Sequence, residues 1–310
     1  MNDAAPTPPQ HALSLLARLS RPLVRLLIKP ALHAPTIAEK RRRTERLGRL
    51  IRMPLPRGTE ILDGELAGVA MEWISNAGAA DAGVMLYLHG GAYVLGSPRT
   101  HRDLTVNLAR RCGLRVAALD YRLAPEHPFP AAVDDALAAY GALLTQNISP
   151  AKIFIAGDSA GGGLALACAL HARSAGLPMP AGLVLFSPWL DLGLSGNSMT
   201  GKAAGEITLS AELLRASAAE YLQGRPATHP LASPLFADLR GLPPLLIQVS
   251  DTEILYDDSR RLAEAARAQG VAATLETWPG LWHVWQLMAG LLPEARRALE
   301  SVANFTRGAA

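Results

Sequence analysis

Along residues 13–29, Leu15, Leu16, Leu19, Leu23, Leu26 and Leu27 recur on one helical stripe, while Arg18, Arg21, Arg25 and Lys29 fall on another at steps of three and four. The pattern predicts a basic amphipathic helix that Pro22 interrupts and Pro30 ends. A second helix is expected over 37–50, where the run Lys40-Arg41-Arg42-Arg43 reads as a solvated face. From about Gly58 the rhythm shortens to that of strands. Residues 69–74 and 84–88 alternate or run apolar, and the small residues over 76–83 read as a hairpin-like turn between them. That pair predicts an antiparallel start to a sheet.

Helices over 104–111, 131–144 and 164–173 then interleave with short apolar runs at 115–119, 153–156 and 183–186. Prolines 125, 128 and 130 exclude regular structure before the helix at 131. Periodicity is lost over 191–205, and 209–222 is an amphipathic helix outside the alternation. The alternation resumes with strands at 245–249 and 273–278 and helices at 257–269 and 291–305. Asp257 and Asp258 open the first of these helices and Gly270 ends it. Strands alternating with helices imply parallel βαβ units with right-handed crossovers. The expected fold is therefore α/β, a mostly parallel central sheet with helices on both faces and a helical cap. The core is expected over 56–190 and 230–310, and the cap over 1–55 and 191–229.

Hydrophobic residues are 49% and charged residues 18% of 310, enough for a sizeable core. The net charge of +3 is too small for a nucleic-acid binder, and no basic run is interleaved with aromatics. Cys112 and Cys168 have neither metal spacing nor a disulfide framework, so free thiols and a cytoplasmic protein are expected. Residues 1–11 are proline-rich and polar, unlike a signal peptide, and no stretch of about 18 apolar residues could span a bilayer. A basic amphipathic helix can lie on an anionic membrane. The expectation for 13–29 is instead a helix packed on its own protein, with no membrane partner.

The chemistry centres on Gly157-Asp158-Ser159-Ala160-Gly161, between a predicted strand and a predicted helix. A serine in such a turn stands at its tip, with glycines where crowding is greatest, and the following N–H points at the atom attacked. A helix N-terminus adds positive potential where an oxyanion would form. A serine hydroxyl needs a base, and the base needs a group to hold it. Among eight histidines, His283 follows the last strand, in Trp278-Pro279-Gly280-Leu281-Trp282-His283, whereas His229 follows no strand. The acid comes from Asp251, Glu253, Asp257 or Asp258, and position leaves Asp251 and Glu253 nearly tied. His89-Gly90-Gly91, directly after a strand, offers backbone donors that a carbonyl could approach closely.

These segments resemble the bacterial members of the hormone-sensitive lipase family of α/β-hydrolases. The likeness covers about 60–305. It rests on His89-Gly90-Gly91-Ala92-Tyr93, Asp120-Tyr121-Arg122-Leu123-Ala124-Pro125-Glu126, Gly157-Asp158-Ser159-Ala160-Gly161-Gly162, Pro230-Leu231-Ala232-Ser233-Pro234-Leu235 and Leu242-Pro243-Pro244. The family's acid-x-Leu-x-Asp pattern falls on Glu253-Ile254-Leu255-Tyr256-Asp257, so the resemblance implies Glu253, where most members carry Asp. The family often has a third glycine where this chain has Ala92, so the implied oxyanion donors are Gly90, Gly91 and Ala160. Trp282 and Trp285 beside His283 are larger than the family's usual residues and are expected to narrow the pocket. The resemblance implies a serine carboxylesterase acting on short- to medium-chain acyl esters through Ser159, His283 and Glu253, without metal or cofactor. An amidase, thioesterase or transacylase using the same triad is the alternative, followed by a non-catalytic receptor of the same fold. Dimers through an edge strand occur in the family.

Overall fold

The computed structural model describes residues 13–50, 53–76 and 83–309. In chain order the elements are α1 (Leu15–Leu32), α2 (Ile37–Leu50), β1 (Thr59–Leu66), β2 (Val69–Asn76), β3 (Val84–Leu88), α3 (Arg102–Cys112), β4 (Arg115–Leu119), α4 (Ala131–Thr145), β5 (Ile153–Asp158), α5 (Ala160–Ser174), β6 (Gly182–Phe186), α6 (Ser198–Gly201), α7 (Ala211–Leu222), β7 (Leu245–Ser250), α8 (Tyr256–Ala268), β8 (Ala273–Trp278) and α9 (Pro293–Gly308).

The strands form one eight-stranded sheet in the order β1-β2-β4-β3-β5-β6-β7-β8. From β4 to β8 in that order every neighbouring pair is parallel. Parallel strands covered on both faces must be apolar throughout, which is why these short runs look continuous in sequence. Their side chains still alternate between two cores. Leu86, Leu88, Ile153, Ile155, Leu183 and Leu185 face one core with residues of α4, α5 and α8. Met85, Tyr87, Phe154, Ala156, Val184 and Phe186 face the other with residues of α3 and α9.

The antiparallel start exists, but its partners differ from the expectation. β2 pairs with β1, a strand the sequence reading overlooked, and with β4 rather than β3. The tight turn is at Ala67-Gly68, both at positive φ. β1 is half exposed, so it shows no buried stripe to read. The expected turn over 76–83 falls on residues 77–82, outside the described residues.

α1 also departs from expectation. It runs through Pro22 and Pro30 without ending. Both prolines are exposed, so the carbonyls they leave unbonded lie on the solvent side, where a lost helical bond costs least. The buried face is Ala17, Ser20, Val24 and Ala31, and the leucine stripe expected to pack inward points out. α1 is held by its polar groups. Glu294 accepts from the Ser14 N–H and hydroxyl, Arg21 donates to the carbonyls of Gly280, Leu281 and Gly205, and His33 Nε2 lies 3.2 Å from the Thr208 carbonyl. No described helix is long and apolar enough to cross a membrane.

Candidate active site

Register brings the chemistry together. Leu88 lies opposite Gly157, Asp158 opposite Phe186 and Ser250 opposite Trp278, so the loops after β3, β5, β7 and β8 emerge at one edge of the sheet. Ser159 stands between β5 and α5 with φ 53° and ψ −122°. Its N–H donates to Phe186 O at 2.8 Å and its carbonyl accepts from Trp189 N–H at 2.9 Å, which hold the strained conformation. The flanking glycines permit the turn. A Cβ on Gly157 would run into the Gly161 carbonyl, and one on Gly161 into the Leu88 carbonyl.

Ser159 Oγ lies 2.9 Å from His283 Nε2, and His283 Nδ1 lies 2.7 Å from Glu253 Oε2. The other oxygen of Glu253 accepts from Ser187 Oγ at 2.8 Å and from Ser250 N–H at 2.7 Å. Asp251, nearly tied with Glu253 on position, turns elsewhere and accepts from Gly280 N–H at 2.7 Å, pinning the loop that carries the histidine. Burial of the His283 ring opposes its charge. The hydrogen bond and charge of Glu253 outweigh that, with Glu206 and Asp158 adding, so its pKa stands above the ordinary value.

The loop after β3 is held by a group at the end of β5 that the sequence reading did not single out. Asp158 is buried, yet its pKa is lowered. Burial works against its charge, but His101 lies 3.4 Å away, the Tyr87 hydroxyl donates at 2.5 Å and the Gly90 N–H donates at 2.9 Å. The Gly90 N–H, expected as an oxyanion donor, is thus engaged by Asp158. The N–H groups of Gly91, Ala92 and Ala160 have no acceptor among the described residues, and Gly91 and Ala92 border the same cavity as Ser159. Gly91, Ala92 and Tyr93 have φ of 123°, 54° and 64°, a turn closed by Val94 and Leu95 N–H donating to the Gly91 carbonyl. His89 supports it from below, stacked on Tyr121 at 4.3 Å, and burial lowers its pKa to about 3, so the ring is neutral. The only sequence sign of Asp158 was its place as the residue before the serine.

Residues 85–287 match the family described as having the alpha/beta hydrolase fold. The chain belongs to this family. It is 50% identical over 238 residues to an acetyl-hydrolase of Streptomyces hygroscopicus, covering 77% of this chain and 79% of that one. It is 44% identical over 242 residues to an esterase of Acinetobacter venetianus, with the same coverage. Among solved structures, an esterase from the bacterial hormone-sensitive lipase family superposes with a TM-score of 0.90 at 44% identity, covering 96% of this chain and 99% of that one. The protein is a carboxylic ester hydrolase resembling the hormone-sensitive lipases, and esters are its substrates.

In this hydrolase, Ser159 and His283 open into a cavity of about 810 Å³. Leu23, Leu27, Leu209, Leu213 and Trp282 contribute apolar walls, from α1, from the segment before α7, from α7 itself and from the histidine loop. Trp285 does not border it. That ring is buried against Trp278, with centroids 5.8 Å apart, and belongs to the α3–α9 core. Of the two tryptophans expected to narrow the pocket, only Trp282 is placed to do so. Cys168 is buried and Cys112 half buried, and burial raises their thiols to about 12 and about 11, so neither is reactive at neutral pH.

Proposed function

We propose that this hydrolase cleaves short- to medium-chain acyl esters through an acyl-enzyme on Ser159. The observation that carries the reading is the unbroken chain Ser159 Oγ, His283, Glu253 at 2.9 and 2.7 Å beside a largely apolar cavity. His283 Nε2 takes the serine proton as Oγ attacks the ester carbonyl. Glu253 keeps the Nδ1 proton facing itself and stabilises the imidazolium. The free N–H groups of Gly91, Ala92 and Ala160 receive the oxyanion, with Ala92 in the role the sequence had assigned to Gly90. His283 then protonates the leaving alcohol and activates the water that releases the acid. Each oxyanion donor is worth about 10²–10³ in rate. Asp158 acts one step back, fixing the loop that carries two of those donors.

The cap in this reading comprises 1–55 and 191–229. Within it, α1, Leu209 and α7 wall the cavity, and so set the acyl length that fits. The closeness to an acetyl-hydrolase supports a short acyl group. So does the likeness to the esterase EstE5, at 40% identity and a TM-score of 0.90, whose crystal was soaked with p-nitrophenyl butyrate. The test is hydrolysis of p-nitrophenyl esters from acetate to palmitate by the wild type and Ser159→Ala. A maximum at butyrate to octanoate, lost in the variant, is expected. Faster turnover of an emulsified long-chain triglyceride than of a butyrate ester would overturn the acyl-length reading.

A further inference from the structure

Among the described residues, twelve large hydrophobic side chains are exposed, and only Leu62 and Phe236 lie away from the N-terminal helices and the cavity rim. The other ten are on α1, at 50–55 or at Leu291. On α1, Leu15, Leu19 and Leu26 are the most exposed, at 71%, 59% and 68%. At 3.6 residues per turn they fall within about 40° of one another on the helix. Leu23 and Leu27 continue that stripe into the cavity wall. A soluble surface scatters such residues singly, whereas a contiguous patch marks a binding face.

The charge around this patch is one-sided. Residues 15–50 hold ten lysines and arginines against two glutamates, a net +8 in a chain whose total is +3, so the remainder carries −5. α1 has no acidic residue at all. Arg41 and Arg43 are neutralised by Glu126 and Glu39, and Arg21 is engaged by carbonyls. Arg18, Arg25, Arg46 and Arg49 are exposed, and their guanidinium groups make no ion pair or hydrogen bond with a described residue. A second copy of this chain is a poor occupant, because a two-fold contact sets this positive face against itself.

We propose that the face formed by α1 and α2 docks on an anionic lipid surface. The leucine stripe enters the boundary between headgroups and acyl chains, the free arginines meet the lipid phosphates, and the cavity mouth beside Leu23 and Leu27 opens toward the membrane. The helix lies in the interface and does not cross it.

The experiment is co-sedimentation of the full chain with vesicles of phosphatidylcholine, with and without about one-third phosphatidylglycerol. It uses Ser159→Ala protein, so that binding is read without hydrolysis and stands apart from the catalytic proposal. Recovery with the anionic vesicles is expected, weakened at least tenfold as salt rises from about 0.05 to about 0.5 M. L15S/L19S/L26S and, separately, R18E/R25E are each expected to lower partitioning roughly tenfold or more. Made in the wild-type background, neither changes turnover of dissolved p-nitrophenyl butyrate. No recovery at low salt, or equal recovery of all forms, would overturn the proposal. So would a dimer in sedimentation velocity that the leucine variant dissociates, with vesicles pelleting none of the protein.

Discussion

At the carboxyl edge of the sheet, Glu253 has no accessible surface, and both its oxygens are occupied by Ser187, Ser250 and His283. On α1, Leu15 is 71% exposed and the Arg18 and Arg25 side chains have no polar partner among the described residues. The two regions meet at one cavity but are built by different rules. The first is over-determined. Each group that would touch the reacting atoms is held by a second group on another strand or loop, as preorganised catalysis requires. The second is under-determined, a helix resting on small buried residues and a few hydrogen bonds, with its largest side chains outside. A site that must not move is made of satisfied polar groups, and a surface left unsatisfied is one that awaits a partner.

The largest expected effect tests whether the catalytic edge is coupled by charge. Glu253→Gln keeps the side chain's size but loses the negative charge. It is expected to lower kcat by about 10³–10⁴. Glu253 holds the His283 pKa above its ordinary value, and the neutral ring is the base in the mechanism proposed above, so wild-type kcat/KM is expected to rise with pH through a value above 6.5. In the Gln variant that limb moves to lower pH, read from a pH profile with one ester. An unmoved limb would mean that the charge at 253 does not tune the base, and the contrast between the regions would then be one of packing alone.

Next is Asp158→Asn, which leaves the serine and its partners untouched. It removes the charge that pairs with His101 and weakens the anchor of the Gly90 N–H. The expected result is a kcat lower by about 10² with KM changed little, as for the loss of an oxyanion donor. Tyr87→Phe, which deletes one donor to Asp158 and keeps its charge, is expected to lose less. Equal losses in KM and kcat would place Asp158 in substrate binding instead.

Asp158 also shows where sequence reading stopped. Strand and helix alternation, the serine turn, the histidine after β8 and the two-faced parallel sheet were visible because each is a local pattern or a short-range order rule. What was missed depends on distant partners. β1 is too exposed to carry a stripe. The pairing of β2 with β4 is made across residues 77–114. Gly90 and Gly91 are chemically identical, and only Asp158 separates a structural N–H from a free one. On α1 the leucine period told that a helix exists but not which arc faces in. The buried arc consists of Ala17, Ser20, Val24 and Ala31, small enough to approach the body closely.

A medium effect is expected where the two regions are tied. Arg21 donates to Gly280 O at 2.7 Å, Leu281 O at 3.2 Å and Gly205 O at 2.7 Å, linking α1 to the histidine loop and to the segment before α7. Arg21→Ala leaves three carbonyls without a charged donor. It is expected to destabilise by about 1–3 kcal/mol and to lower kcat/KM by about tenfold through a looser cavity wall. Loss of stability with unchanged kinetics would show that α1 does not shape the cavity.

The smallest effect is the sharpest for the under-determined region. Replacing Leu15, Leu19 or Leu26 singly by Ser should change unfolding free energy by no more than about 0.5 kcal/mol, because these side chains are already in water. Leu164 in α5 has no exposure, and its replacement by Ala should cost about 2–5 kcal/mol. Urea denaturation of the dilute protein reads both. If a stripe variant loses as much as the core variant, the leucines are packed against the chain itself in solution. The helix would then follow the same rule as the catalytic edge, and no apolar face would remain to meet a lipid surface.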